Sequence, residues 1–250
     1  MPARETEAII LRSFPLGEVD RLVSFLSRSA GRLRGVAAGA RRLRNRFGST
    51  LEILSYVKMW YVERETRELV RIQQCEMLES FLDAQQEYNL SLGLAMVSEV
   101  TEAVLPEHEP SDAVFRLALA SARAIAGEKQ IELPLAYFAF WMVRLGGWLP
   151  PLDHCSRCAK LFARGRAYHA SFHPGLLCED CRRPKMQPVS ADARALGERF
   201  SSEKLEKLSG QRLSDEAVVE LGETMLDLIE HHMERELTTR PGVEKAWHRK

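Results

Sequence analysis

Apolar and polar positions follow two different rhythms along this chain, and the change falls near residue 80. Before it, Ile, Val, Leu, Tyr and Trp gather in short runs: "TEAIILRS", "VDRLVSFLS", "GRLRGVAAGA", "LEILSYVKMWYV" and "ELVRIQQCEML". Turn chemistry separates them, in "PLGE", "SAG", an arginine-rich stretch holding Gly48 and Ser49, and "ERETRE". In the fourth run Ile53, Val57, Met59 and Tyr61 alternate with Glu52 and Lys58, the period of a strand. The alternation is imperfect, so both faces are expected to be partly covered. Short strands in such close succession predict a small closed β-barrel, for which an OB-fold is the natural candidate. "RRLRNRF" breaks the strand pattern between the third and fourth runs and is a candidate short helix.

From residue 81 the apolar positions recur at helical spacing. In "LDAQQEYNLSLGLAMVSEVTEAVL" they are Leu90, Leu94, Val97, Val100, Val104 and Leu105. "SDAVFRLALASARAIAG" opens on an N-cap candidate, Ser111, and closes on Gly127. "LPLAYFAFWMVRLGGWL" is apolar almost all round yet too short for a membrane span, which marks a buried central helix stopped by Pro150 and Pro151. Residues 153–185 are loop-rich and hold four of the five cysteines. Helix returns in "SADARALGERF" and in "SDEAVVELGETMLDLIEHHMEREL", with Ser214 as N-cap and Pro241 and Gly242 as the stop. The predicted architecture is α+β and multidomain. An OB-fold barrel spans residues 1–80, and an α-helical domain spans 81–250 with the cysteine segment inserted at 153–185.

Composition adds little, with 45% hydrophobic and 28% charged residues typical of a protein with a real core. The opening residues, MPARETEAII, lack an apolar signal-peptide core, so a cytoplasmic protein with reduced thiols is expected. Charge changes the picture more. Basic and acidic residues balance at 35 each, yet no acid lies between Asp20 and Glu52. That interval holds eight arginines: Arg21, Arg28, Arg32, Arg34, Arg41, Arg42, Arg44 and Arg46. The rest of the chain is left with 27 basic against 35 acidic residues. Such polarity points to a polyanion, and an arginine row gains affinity for phosphates by releasing counterions. Phe47, Trp60 or Tyr61 could stack on bases, although Trp60 and Tyr61 are neighbours on a strand and cannot share a face. An acidic protein asks for similar cations, so an adaptor is the main alternative. An RNA-binding OB module is the second, since nothing local reads the 2′-OH.

Cys155-x-x-Cys158 is followed by Cys178-x-x-Cys181. Two such knuckles present four sulfurs to one centre, the arrangement of a tetrahedral structural zinc site. His154, His169 and His173 lie nearby in the sequence, and one of them could replace a cysteine; otherwise they are surface residues. Cys75, alone within a strand run, reads as a small buried hydrophobe. The phosphate-loop, dinucleotide, nucleophile-elbow and HExxH patterns are missing, and His231 and His232 point about 100° apart on a helix. No enzymatic activity is expected.

Three stretches carry a resemblance to a known family. "EAIILRSFPLGEVDRLVSFLSRSAGRLRGVAAGARR" contains the Gly-Glu-x-Asp-Arg turn at Gly17 to Arg21 and the Gly-Ala-Arg-Arg at Gly39 to Arg42. "LGGWLPPLDHCSRC" enters the cysteine segment and "FHPGLLCEDC" leaves it. Together they resemble the RecO family of bacterial recombinational DNA-repair proteins, across essentially the whole chain. The resemblance implies a non-enzymatic cytoplasmic protein of the bacterial nucleoid. Such proteins bind single- and double-stranded DNA and anneal complementary strands. They work with RecR to load the RecA recombinase and bind the acidic C-terminal tail of single-stranded-DNA-binding protein. It places the DNA-binding surface on Arg32, Arg34, Arg41, Arg42, Arg44 and Arg46, and a structural Zn2+ on Cys155, Cys158, Cys178 and Cys181. The tail is expected in an apolar groove with basic rims in the helical domain, which the sequence does not place residue by residue; Arg123, Arg144 or Lys160 are uncommitted candidates for its rim.

Overall fold

The computed structural model describes residues 3–64, 68–163, 165–170 and 173–248. Residues 65–67 of the expected "ERETRE" turn lie outside them. The chain forms two compact units, Met1–Gly127 and Glu128–Lys250.

In the first unit β1 (Arg4–Leu16), β2 (Asp20–Ser27), β3 (Gly31–Ala37), β4 (Tyr56–Val62) and β5 (Val70–Glu79) close a barrel in the order β1-β2-β3-β5-β4. All pairings are antiparallel except β3 with β5, and β4 returns to β1. This is the OB-type barrel that the spacing of the runs predicts. Closure removes the exposed strand edges that five short strands would otherwise leave. Val57, Met59 and Tyr61 alternate into the core, where Tyr61 meets Phe25 edge-on at 6.0 Å. Cys75 is buried among them, and burial pushes its thiol up to about 12. The tight turn before β3 requires Gly31: its φ is +75°, and a Cβ there would sit 2.4 Å from the Glu109 carbonyl carbon.

The first unit continues beyond the barrel. After α1 (Leu82–Gln85), helices α2 (Tyr88–Val104) and α3 (Asp112–Glu128) pack with the barrel. Ser98 Oγ donates to the Leu11 carbonyl, and Arg28 joins Glu7 at 2.7 Å to Asp112 at 2.8 Å. Arg123 forks onto the Glu79 carboxylate, and Phe115 meets Tyr56 edge-on. Ser111 caps α3 by accepting the Val114 amide.

The second unit contains α4 (Glu132–Leu145), β6 (Ala167–Ala170), β7 (His173–Leu177), β8 (Gln187–Val189), α5 (Ala191–Ser202), α6 (Leu205–Ser209), α7 (Asp215–Met233) and α8 (Arg240–Trp247). Helix α4 is the central one, as its all-round apolar face predicts, and packs on α5 and α7. Phe140 meets Phe200 edge-on at 5.7 Å. A Cβ at Gly222 would crowd the Trp247 ring at 2.7 Å, so this position of α7 stays bare.

Local readings differ from the structure in four places. "RRLRNRF" forms turns, held by side-chain bonds rather than a helix. The stretch Leu51–Ser55 turns before β4 begins, so Ile53 is not part of the strand alternation. Helix α4 stops at Leu145, because Gly147 takes φ +76° before the prolines are reached. Pro241 and Gly242 start α8 rather than stop α7; proline suits a first turn, where its missing N–H costs nothing. Helix α7 ends instead on Glu234 in the left-handed region.

The second unit carries an acid-sensitive charge network. Asp227 accepts from Arg240 at 2.6 Å and faces His169 Nε2 at 3.2 Å, while Arg240 also reaches Glu230 and Glu244. Burial alone would raise the Asp227 carboxyl, but His169 and Arg240 hold it below its ordinary value. Arg199 and Lys207 hold Glu203 down at about 2. A depressed carboxyl stabilises the fold above its unfolded value and loses that contribution as pH falls through its folded one. Stability should therefore decline from about pH 4.5 towards pH 2. Urea midpoints measured across that range check this, and Glu203→Gln should flatten the slope; an unchanged slope would refute the assignment.

Candidate nucleic-acid interface and metal centre

The eight arginines of the acid-free interval divide into two groups. Arg21 meets Glu52 at 3.4 Å, and Arg28 bridges Glu7 and Asp112. Arg32 donates to the Leu105 carbonyl at 2.8 Å and meets Glu107 at 3.2 Å. Arg34 meets the same Glu107 at 2.8 Å. Acids from distant parts of the sequence thus neutralise these four. Arg41, Arg42, Arg44 and Arg46 have no acidic partner among the described residues, and all four are exposed.

These four sit on the loop between β3 and β4, which is fastened at both ends. Towards β3, the Arg41 amide donates to the Val19 carbonyl at 2.9 Å and the Gly39 amide to Asp20 Oδ1 at 2.8 Å. The Arg41 side chain donates to the Gly17 carbonyl at 2.7 Å. Towards β4, Asn45 Oδ1 accepts the amides of Phe47 and Gly48, both at 2.9 Å, while its Nδ2 donates to the Arg42 carbonyl. Phe47 and Leu51 then plug into the barrel core. Glycines at 39 and 48 supply the positive φ the turns need. Four cations are therefore presented on an anchored loop, with the Arg46 guanidinium over the Phe47 ring at 4.9 Å.

Of the aromatic candidates, Phe47 and Tyr61 are core residues at 2% and 1% exposure and cannot offer a ring face to a base. Trp60 lies on the outer side of β4, where its Nε1 donates to Glu5 and Lys58 sits over its ring. In the helical region Arg123 pairs with Glu79, Arg144 covers Trp141 and Lys160 pairs with Asp180. Arg123 belongs to the first unit, Arg144 and Lys160 to the second.

The cysteine segment is more structured than its sequence suggests. β7, β6 and β8 form a three-stranded sheet in that order. The first knuckle closes with the Ala159 amide on the Cys155 carbonyl at 2.9 Å, Ala159 itself taking φ +58°. The second closes with the Cys181 and Arg182 amides on the Cys178 carbonyl. The Ser156 amide donates to the Leu176 carbonyl, which brings the knuckles together. Gly175 makes room for this approach, since a Cβ there would lie 2.4 Å from Ser156 Oγ. All four Sγ atoms lie within 4.8 Å of one another, and Cys158 and Cys178 are 3.7 Å apart. Sulfurs at ~2.3 Å from a tetrahedral ion stand about 3.8 Å from each other, so this set fits one metal ion.

The thiols respond to this crowding. Burial raises Cys155, yet backbone amides of Cys158, Cys178 and Arg157 bring it down to about 6. Hydrogen bonding to Cys158 leads the effects that push Cys181 up to about 12. The histidines stand apart from the cluster. His154 pairs with Asp153, and His173 bonds the backbone of Gly175. His169, expected at the surface, is 2% exposed against Asp227. Arg194 binds the segment to α5 by donating to the carbonyls of Leu152, Ala163 and Gly165.

A closed OB-type barrel with an anchored cationic loop, joined in one chain to helices, defines a class of barrel-and-helix protein whose four-cysteine cluster could hold a metal ion. Residues 1–81 match the family Recombination protein O N terminal, and residues 85–241 match Recombination protein O C terminal. The chain is 37% identical to DNA repair protein RecO of Koribacter versatilis, over 94% of this chain and 96% of that one. It is 32% identical to DNA repair protein RecO of Syntrophobacter fumaroxidans, over 98% and 99%. It is 31% identical to DNA repair protein RecO of Frankia casuarinae, over 98% and 100%. The chain belongs to the RecO family of DNA repair and recombination mediators. No helix among the described residues is long and apolar enough to cross a membrane.

Proposed function

We propose that this protein binds single- and double-stranded DNA through its arginine loop and anneals complementary strands. It does so as a recombination mediator, working with RecR and with the acidic tail of single-stranded-DNA-binding protein to load RecA. The observation that carries the reading is the set of four arginines, without acidic partners among the described residues, on an anchored loop of an OB-type barrel. Annealing needs no bond chemistry. Cations screen the repulsion between two phosphate backbones, and base pairing supplies the free energy. Arg41, Arg42, Arg44 and Arg46 carry this contact, while Arg32 and Arg34 support the surface through Glu107. Cys155, Cys158, Cys178 and Cys181 hold a Zn2+, which four thiolates leave without an open position, so it is structural.

The test is annealing of two fluorescently labelled complementary oligonucleotides without ATP, in low and moderate salt. Acceleration that falls steeply with salt is expected. No acceleration, with tight binding to an acidic peptide, would move the loop from DNA to a protein partner.

A further inference from the structure

The arginine loop adjoins an apolar row on the outside of the barrel. Strand register aligns Phe14 of β1 with Leu22 of β2, Leu22 with Val36 of β3, and Val36 with Arg71 of β5. Registered partners share a face. Their chain neighbours Val23, Ala37 and Ile72 are in the barrel core, so the row faces outward. Phe14 is 49% exposed, Leu22 and Val36 are half-buried, and Arg71 is exposed. With strands about 4.8 Å apart, the row runs for about 14 Å.

The neighbouring outward row, Arg12–Ser24–Arg34, is occupied: Arg12 pairs with Glu102 and Arg34 with Glu107. Among the described residues no ion pair crosses the Phe14 row, and its apolar members stay exposed or half-buried. Isolated exposed hydrophobics are ordinary on any protein, but a row continuous across three strands is not. Cations border it. The Arg41 amide and side chain bond the carbonyls of Val19 and Gly17 in the β1–β2 hairpin, which ties the arginine loop to the strand ends that carry Phe14 and Leu22. Arg71, at the other end, has no acidic partner among the described residues.

A ligand that fits must offer flat apolar faces and negative charges in alternation. Bases and phosphates do so, but a duplex hides its base faces in the stack, and only an unpaired strand can lay them on a protein. The outer face of strands 2 and 3 is also where OB barrels take oligonucleotides. We propose that Phe14, with Leu22 and Val36, forms a base-stacking platform for single-stranded nucleic acid, with phosphates held by Arg41, Arg42, Arg44 and Arg71. This rests on the nucleic-acid reading of the arginine loop, and it assigns strand preference to residues outside that loop.

The full-length Phe14→Ala variant should bind a 20-nucleotide single strand about tenfold more weakly than the parent, as loss of one stacked base implies. Its affinity for the matching duplex should stay within about twofold, and its salt slope should not change, because the phosphate contacts remain. A 2-aminopurine in the single strand should lose its binding-induced fluorescence change with Phe14→Ala and keep it with Phe14→Tyr. Should Phe14→Ala lower the melting temperature, Phe14→Leu decides: it keeps the packing and removes the ring. Parental single-strand affinity in both variants, or equal losses on single strand and duplex, overturns the platform. With Arg42→Glu/Arg44→Glu as a parallel variant, loss there alone leaves the cationic loop standing without the platform. Absence of nucleic-acid binding by the parent overturns both.

Discussion

Purified full-length protein should carry one zinc per chain, and removing it should unfold the segment from Leu152 to Val189 along with part of the second unit. The strands there hold only four, five and three residues, too few to form a stable sheet unaided. Two knuckles that bring four sulfurs within 4.8 Å of one another suit a single tetrahedral metal ion, whose binding would tie the segment together. Metal binding to such sites is worth on the order of 10 kcal/mol, comparable to the entire net stability of a domain. Cys178→Ser removes a buried cysteine of the cluster and should abolish metal retention, lower the melting temperature sharply and erase the near-ultraviolet dichroism of Tyr168 in β6. Cobalt substituted for the native metal should give the intense visible bands of a tetrahedral sulfur site. Parental melting after complete metal removal would defeat the structural role; a metal retained by Cys178→Ser would defeat the four-cysteine assignment.

What the sequence disclosed depended on how local the information was. The five strands of the barrel were legible because each carries its own run and its own turn residues, and the central α4 because it is apolar all round. The clustering of the four cysteines was legible because each knuckle spans four residues and the spacing sets two knuckles side by side. Its sheet was not, since β6 and β8 are too short to display a period. Pro241 and Gly242 misled for a related reason. Proline and glycine mark an interruption, but tertiary packing, here Trp247 against Gly222, decides whether a new helix starts there.

The arginine interval shows the same limit for function. Charge counting identifies the region, but the partners of Arg21, Arg28, Arg32 and Arg34 arrive from Glu7, Glu52, Glu107 and Asp112. Only the fold sorts cations that brace the unit from cations left without an acidic partner among the described residues. Two of the three aromatic candidates fail likewise. Phe47 and Tyr61 are apolar residues in an apolar core, whereas Phe14 becomes visible as a surface residue only once the register past the Ile10/Arg12 irregularity is known. That irregularity shifts which residues of β1 face inward, so counting by twos from Ile10 would have described the strand beyond it incorrectly.

The separation of the two arginine groups makes opposite expectations for their variants. Reversing Arg41, Arg42 and Arg44 to Glu should abolish annealing and weaken single-strand binding by at least about a hundredfold in moderate salt. It should also reduce the slope of log affinity against log salt by about two, since three phosphate contacts at ~0.7 each are lost. The fold should survive. The loop is fastened by the backbone of Gly39 and Arg41, by Asn45 and by Phe47, none of which the changes remove. Only the Arg41 bond to Gly17 is sacrificed, at about 1 kcal/mol. Arg32→Ala/Arg34→Ala should behave the other way. It frees Glu107 and the Leu105 carbonyl, so the urea midpoint should fall, while the salt slope stays within about 0.5 of the parent because the loop cations are intact. Metal content should be parental in both. A triple variant that anneals at the parental rate would remove the loop from the DNA contact. A salt slope that drops equally in the two variants would show that Arg32 and Arg34 leave Glu107 for phosphate when DNA arrives, which would extend the interface from the loop onto β3.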